Sequence, residues 1–204
     1  MRFSVIMPVC LEYYPNCANN RECKFIRAVN SFVNQIFTDS ELIIISDGSK
    51  RIEELYQSTF IKFSNVKFVY LEKQPLFSGN IRQAGLGIAE GDIICYLDAD
   101  DVFGLNHLAI INEDFKTDLY DWVYWDDVII MNPEFTSNIV RGTNPVPGYI
   151  GSSSIAHKRA LDVIWGDGYG HDWNVIDKYL MGRPATKIRT PQYYVCHVIR
   201  FTDI

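Results

Sequence analysis

Long apolar runs, clustered basic residues and abundant cysteine are all lacking in this chain of 204 residues. Because a membrane-spanning helix needs about 18 or more consecutive apolar residues, the sequence predicts no transmembrane segment. The apolar run near the N-terminus is also too short for a signal peptide. The formal charge is −6, from 19 basic and 25 acidic residues. Contacts to phosphate dominate nucleic-acid affinity, so an acidic chain without Lys/Arg clusters predicts no nucleic-acid partner.

Five cysteines are an odd number in a chain long enough to form a core without disulfides. They favour a reducing compartment, and we expect a cytoplasmic protein, with peripheral attachment to a membrane as an alternative. Cys10, Cys17 and Cys23 crowd one segment. Their spacing matches no common zinc-binding pattern, which disfavours a zinc site there.

Two common phosphate-binding patterns are missing as well. Gly85, Gly87 and Gly91 do not fit G-x-G-x-x-G, because the third glycine comes one position late and the segment precedes a strand instead of following one. The sequence also contains no G-x-x-x-x-G-K stretch. NAD binding and P-loop phosphoryl transfer are therefore disfavoured.

Apolar runs rich in β-branched residues alternate with stretches of helical periodicity, which predicts an α/β fold. We expect a mostly parallel central sheet with helices on both faces. The predicted strands of the first half are Phe3–Met7, Leu42–Ile45, Val66–Leu71 and Ile93–Leu97, and the predicted helices are Arg21–Ile36, Ile52–Phe63 and Ile81–Ala89. Beyond residue 101 the predicted helices are Leu105–Phe115, Arg159–Ile164 and Trp173–Met181, and the predicted strands are Trp122–Met131, Ser153–His157 and Tyr193–Ile199.

Polar residues follow at least two of these strands. Ligands of open α/β sheets bind beyond the carboxyl ends of the strands, where Asp47 follows one strand and Asp98, Asp100 and Asp101 follow another. Three neighbouring carboxylates repel one another unless a cation or a hydrogen-bond donor compensates, and their oxygens suit Mg²⁺ or Mn²⁺. The alternative interpretation is that Asp100 or Asp101 caps the next helix and that Asp47 forms a turn with Gly48.

Several segments, taken in order, resemble glycosyltransferase family 2 with the GT-A fold. They are FSVIMPV, RECKFIRAVNSFVNQIFTDSELIIISDGS, NIRQAGLGIAEGDIICYLDADD and the later HDW. The resemblance implies a single GT-A domain over residues 1–204, with a nucleotide-binding half (1–101) and an acceptor half (102–204). It implies an enzyme of polysaccharide or glycan biosynthesis that moves a sugar from a nucleotide diphosphate, usually UDP, to a glycan, lipid-linked or protein hydroxyl with inversion.

The same resemblance implies roles for individual residues, beginning with the nucleotide. Asp47 matches the aspartate that binds the base, Pro8 and Val9 match the wall of the nucleotide pocket, and Arg82 matches an arginine near the nucleotide. Two positions of the family pattern differ here, since Ser46 replaces an aspartate and Gln83 replaces an asparagine. The loop from residue 11 to residue 20 is also longer than in the family.

The metal and the chemistry fall on a second group of residues. Asp98, Ala99 and Asp100 match the D-x-D motif, in which the first aspartate contacts ribose or sugar and the second binds Mn²⁺ or Mg²⁺. His197 falls near a histidine that supplies a further metal contact in several members. Asp172 matches the catalytic base, with His171 in place of the usual glutamate before it.

Alternatives remain for the function and for two side chains. A nucleotidyltransferase also places acidic metal ligands beside such a sheet, although the segment after the first strand has neither the glycines nor the basic residues of its phosphate loop. An inactive nucleotide-sugar binding module is the other alternative. Asp172 could instead cap the helix that follows. We expect Trp173 to pack in the core, with a platform for a sugar as the alternative, and we expect His107 and His157 to be structural or surface residues.

Overall fold

A computed structural model describes residues 1–13, 17, 20–73, 78–130, 138–190 and 192–196. The helices are α1 (Arg21–Val33), α2 (Lys50–Leu55), α3 (Gly79–Ile88), α4 (His107–Phe115) and α5 (His171–Val175). The strands are β1 (Phe3–Val9), β2 (Ser40–Asp47), β3 (Val66–Leu71), β4 (Ile93–Tyr96), β5 (Val102–Phe103), β6 (Trp122–Trp125), β7 (Asp127–Ile130), β8 (Asn138–Arg141), β9 (Ile155–Lys158), β10 (Ala185–Ile188) and β11 (Tyr193–Val195). Within these residues, no helix has the length and apolarity that crossing a membrane requires.

Two sheets organise the described residues. The larger has seven strands in the order β10-β6-β9-β4-β1-β2-β3, and β9 is antiparallel to both of its neighbours. The pairs β1–β2, β2–β3 and β1–β4 are parallel, as the alternation of strands and helices predicts. The smaller sheet has the order β5-β11-β7-β8. The predicted mostly parallel central sheet is therefore confirmed.

Successive side chains of the central strands point to opposite faces of the larger sheet and fill two separate cores, one on each face. Val5 and Met7 of β1 lie in one core with Phe25 and Phe32 of α1, whereas Ile6 lies in the other core. β2 and β4 divide their residues between the two cores in the same way. Each strand is thus buried on both faces, which explains why these segments are continuous apolar runs.

The glycine-rich segment that resembles a dinucleotide loop serves packing. A Cβ atom on Gly85 would come within 2.8 Å of Ile6 and 2.9 Å of Ile45. The absence of a side chain therefore lets α3 lie directly on β1 and β2. This contact places the start of α3 at the carboxyl edge of the sheet.

The second half of the chain differs from its predicted elements in several places. The single strand predicted at Trp122–Met131 is two strands, because the chain leaves the larger sheet after β6 and enters the smaller one with β7. The helix predicted at Arg159–Ile164 is only a 3₁₀ turn, Arg159–Leu161, which ends where Asp162 takes a positive φ of 49°. The helix predicted at Trp173–Met181 begins earlier, as α5, and continues as a π-helical turn, Ile176–Leu180.

Candidate active site

A cavity of about 220 Å³ lies at the carboxyl ends of β1, β2 and β4, beside the start of α3. This is the edge of a parallel sheet at which ligands bind in open α/β folds. The cavity brings together seven of the residues predicted from the sequence: Pro8, Val9, Asp47, Arg82, Asp98, Ala99 and Asp100. Their roles in binding stay predictions.

The cavity also contains residues that sequence reasoning missed. Arg21 lines it at the first position of α1, and Ser78 lines it just before α3. Cys10 and Leu11 extend the wall beyond β1. The signal for Arg21 was available, because a helix that follows a strand of a parallel sheet begins at the ligand-binding edge. Arg21 adds a second arginine to a cavity that Arg82 already lines.

Arg82 and Asp98 form an ion pair at the centre of the site. The Arg82 Nη2 atom lies 2.8 Å from Asp98 Oδ1, with 5% of the arginine side chain and 33% of the aspartate side chain exposed. The guanidinium also donates to the Ser78 hydroxyl and lies 5.2 Å from the ring centre of Trp165. These contacts fix a positive charge in the cavity wall, where it can balance an aspartate or a bound phosphate.

Asp101 is turned away from the cavity and into the core. Its carboxylate accepts hydrogen bonds from the Tyr193 hydroxyl at 2.7 Å and from the Cys196 backbone N–H at 2.9 Å. Burial, with the charges of Asp98 and Asp100, raises the pKa of Asp101 well above its usual value. Donors from β11 and from the residue after it therefore compensate the charge of Asp101.

Asp98 and Asp100 remain as the carboxylates that could hold a metal. Both line the cavity, and the Asp100 backbone carbonyl accepts a hydrogen bond from Arg27 at 2.7 Å. In the part of the chain that the structure describes, no group of three or more His, Cys, Asp and Glu side chains is placed to bind a metal. Mg²⁺ and Mn²⁺ are commonly held by one or two carboxylates together with substrate phosphates, so this pair fits such an ion. His197, the other predicted ligand, lies outside the described residues.

Neither Asp100 nor Asp101 caps α4. Asn106 is the residue that precedes α4, and no side chain caps that helix. The alternative interpretation, in which Asp100 or Asp101 caps this helix, is therefore wrong.

Asp47 ends β2 at the opposite side of the cavity. Gly48 follows it with a positive φ of 78°, as the turn interpretation predicts. The side chain that stabilises the turn is Ser46, whose hydroxyl accepts a hydrogen bond from the Ser49 N–H at 3.1 Å. The Asp47 carboxylate instead pairs with the ammonium of Lys73, which the sequence analysis did not single out.

Asp172 is the second residue of α5, and Gly170 precedes that helix. The Trp173 backbone N–H donates to Asp172 Oδ1 at 3.0 Å, so the carboxylate sits over the start of the helix without being its N-cap. His171 links this helix to the cavity, since its Nε2 atom lies 3.5 Å from Arg82 Nη1. Burial and the charge of Arg82 both lower the pKa of His171. Asp172 is not among the residues that line the cavity itself.

Trp173 is exposed, contrary to the prediction that it packs in the core. Of its surface, 42% is accessible, and its ring meets that of Tyr169 edge to face with the ring centres 5.7 Å apart. Tyr169 is 77% exposed. Because both residues are next to or near Asp172 in sequence, this arrangement places an exposed aromatic pair beside the candidate base.

His107 and His157 are buried, as expected of structural residues. His107 packs against the rings of Phe103 and Trp125, and burial lowers its pKa to about 3. The His157 ring lies 2.8 Å from the Tyr96 hydroxyl, and burial lowers its pKa to about 4. Neither histidine lines the cavity.

Comparison with known proteins identifies the family. Residues 4–165 match "Glycosyl transferase family 2". An uncharacterized glycosyltransferase of Nostoc is 33% identical over 101 residues, which is 45% of this chain and 28% of that protein. The minor teichoic acid biosynthesis protein GgaB of Bacillus subtilis is 32% identical over 102 residues, which is 49% of this chain and 10% of that protein. The matches thus span well under half the length of these relatives.

Solved structures show the same fold. Residues 1–349 of TarS from S. aureus, in complex with UDP-GlcNAc, superpose with a TM-score of 0.74 at 18% identity, covering 100% of this chain and 60% of that one. GalNAc-T7 with UDP, GalNAc and Mn²⁺ superposes with a TM-score of 0.70 at 15% identity, covering 98% of this chain and 44% of that one. The GT-A fold expected from the sequence is confirmed. The chain belongs to glycosyl transferase family 2.

Proposed function

We propose that this chain transfers a sugar from a nucleotide diphosphate, with UDP as the expected nucleotide, to an acceptor hydroxyl. The observation that carries the proposal is the single cavity that joins Asp47, Arg82, Asp98 and Asp100 at the carboxyl edge of the sheet. Complexes of similar folds support the choice of donor, because TarS was solved with UDP-GlcNAc and GalNAc-T7 with UDP and Mn²⁺.

The diphosphate lies at the aspartates after β4 in this proposal. Asp98 and Asp100 supply the carboxylate oxygens for a divalent ion, and a bound Mg²⁺ or Mn²⁺ would neutralise charge on the departing diphosphate. Arg82 holds a fixed positive charge against Asp98 in the same wall. The planar guanidinium presents several N–H donors in a geometry that matches phosphate oxygens.

In this proposal the nucleobase lies at the other end of the cavity, next to Asp47. Pro8 and Val9 form an apolar wall there, and Asp47 is 7% exposed. A carboxylate has about four acceptor positions, so Asp47 can accept from Lys73 and from a ring N–H of the nucleobase at the same time. This division places the base at the end of β2 and the phosphates beyond the end of β4.

Asp172 acts as the general base in this proposal. Its carboxylate accepts a hydrogen bond from the Trp173 N–H at the start of α5, which holds the side chain in place. It takes the proton from the acceptor hydroxyl while that oxygen attacks the anomeric carbon, and the nucleotide diphosphate leaves from the opposite face. One displacement of this kind inverts the configuration at the anomeric carbon.

A carbohydrate is the acceptor that the surface beside Asp172 favours. Trp173 and Tyr169 expose aromatic rings there. Aromatic rings give large apolar contact area, and the C–H face of a sugar ring packs against such a surface. A glycan or a lipid-linked sugar therefore fits better than a simple protein hydroxyl.

The test is to incubate the protein with a panel of nucleotide sugars and Mn²⁺ and to measure the release of free nucleotide. We expect release from a UDP-sugar that is lost in Asp100→Asn. Release of pyrophosphate from UTP and a sugar phosphate would favour a nucleotidyltransferase instead. Tight binding of UDP-sugars without any release, in the presence of a broad acceptor panel, would favour an inactive binding module.

A further inference from the structure

Lys73 places a positive charge at the base end of the cavity. Its ammonium pairs with the Asp47 carboxylate and lies 3.8 Å from the Cys10 sulfur. Asp47 and Cys10 both line the cavity. An ammonium has three N–H donors, and these partners occupy two of them. Among the described residues Lys73 has no third hydrogen-bond partner, so its remaining N–H can donate to a ligand that enters beside Asp47.

The fold holds Lys73 in this position through its backbone. A Cβ atom on Gly48 would lie 2.7 Å from the Lys73 Cβ and 3.0 Å from its Cα, so the two backbones are in direct contact. The Gly48 N–H also donates to the Leu71 carbonyl at 3.0 Å. The end of β3 is thereby fixed against the turn after β2. The lysine side chain is 56% exposed and reaches from this anchored backbone to Asp47.

Carboxylate and ammonium side by side form an acceptor next to a donor. The pairing edge of uracil offers the complement, because its N3–H is a donor and lies between two carbonyl acceptors. Cytosine has the same ring size but offers a bare ring nitrogen next to an amino group. With the ribose and the ring in the same position, that edge places an acceptor against Asp47 and a donor against Lys73, so neither charged group gains a hydrogen bond from the base.

We propose that Lys73 is a specificity-determining residue that selects a uridine nucleotide over a cytidine nucleotide by donating a hydrogen bond to a base carbonyl beside Asp47. The inference rests on the proposed function, which places the base at this end of the cavity. It adds a second polar group to recognition of the nucleobase and explains physically why the donor sugar would be carried by UDP.

The test compares the affinities for UDP and CDP by titration calorimetry in the presence of Mn²⁺. We expect the wild type to bind UDP about tenfold to a hundredfold more tightly, because a hydrogen bond to a charged group is at stake. In Lys73→Met the affinity for UDP falls and most of the preference disappears. Lys73→Arg keeps a donor and retains the preference. Lys116→Met removes an exposed lysine that pairs with Glu113 of α4, away from the cavity, and it serves as the matched control.

The outcomes separate this inference from the proposed function. A wild type that binds UDP and CDP equally, or prefers ADP or GDP, refutes the role of Lys73 and leaves a nucleotide-dependent enzyme standing. Lys73→Met that binds UDP as tightly as the wild type, with an unchanged preference, also refutes it. A wild type that binds none of these nucleotides with Mn²⁺ overturns the proposed function as well.

Discussion

Replacing Tyr193 with phenylalanine removes one hydroxyl that connects β11 to the D-x-D motif. The hydroxyl donates to the buried Asp101 at 2.7 Å and accepts from the Asp98 backbone N–H at 3.2 Å. A hydrogen bond lost inside a protein is worth about 0.5–1.5 kcal/mol, and a polar group left without its partner costs about 1–3 kcal/mol. We therefore expect Tyr193→Phe to lower the free energy of unfolding by about 3 kcal/mol. For a domain of this size the melting temperature falls by about 10 °C.

The same variant changes ligand binding if Tyr193 positions Asp98. Loss of a group that orients metal ligands typically costs about tenfold or more in metal affinity, so we expect a matching loss in Mn²⁺-dependent UDP affinity. Urea unfolding and calorimetry measure the two effects. Tyr56→Phe is the matched control, because its hydroxyl donates to the Val66 carbonyl at 3.1 Å, away from the cavity. A Tyr193→Phe protein as stable as this control, with wild-type UDP affinity, would refute the reasoning.

Three further predictions concern acid stability, the base and the acceptor. Burial lowers the pKa of His107 to about 3 and that of His157 to about 4. Below about pH 6.5 these histidines are therefore protonated in the unfolded chain but stay neutral in the folded chain, so stability falls as the pH is lowered. Each histidine thus costs about 2 kcal/mol of stability at pH 5. Urea unfolding at pH 7 and at pH 5 should show that His107→Phe loses less stability on acidification than the wild type. An equal loss in the two proteins would contradict the assignment. Asp172→Asn should lower kcat by about 10²-fold or more with UDP affinity near normal, and retained transfer would refute the base assignment. Trp173→Ala should raise KM for a glycan acceptor severalfold while slow UDP-sugar hydrolysis stays constant, whereas a change in hydrolysis alone would contradict an acceptor role.

The first half of the fold could be predicted because its strands lie in the middle of the larger sheet. Burial on both faces makes β2 and β4 continuous apolar runs, and α1 and α3 show a clear apolar face. The second half was harder, since its strands are short and are divided between two sheets. Nothing in the run Trp122–Met131 indicates that the chain changes sheets at Asp126, whose carboxylate pairs with Lys187 and accepts the Thr143 N–H at 2.7 Å. Those partners are distant in sequence, and the hydrophobic periodicity of a segment does not indicate them.

The candidate site divides in a similar way. Residues that follow strands, such as Asp47 and Asp98, could be placed because parallel strands end at one edge of a sheet. Lys73 follows β3 and was open to the same argument, but it is one of three consecutive polar residues, Glu72, Lys73 and Gln74, that no motif of the family marks. The inward turn of Asp101 depends on Tyr193, which is 92 positions away. Contacts of that range come from the fold and not from local pattern.

The most direct test of the central claim is a calorimetric titration with UDP in the presence of Mn²⁺ and again with excess EDTA, on the wild type and on Asp100→Asn. The account predicts tight binding to the wild type with Mn²⁺, weak binding with EDTA, and weak binding to Asp100→Asn under both conditions. Equal affinity in all four titrations, or no binding to the wild type with Mn²⁺, would contradict the claim that Asp98 and Asp100 hold a metal and a diphosphate in this cavity.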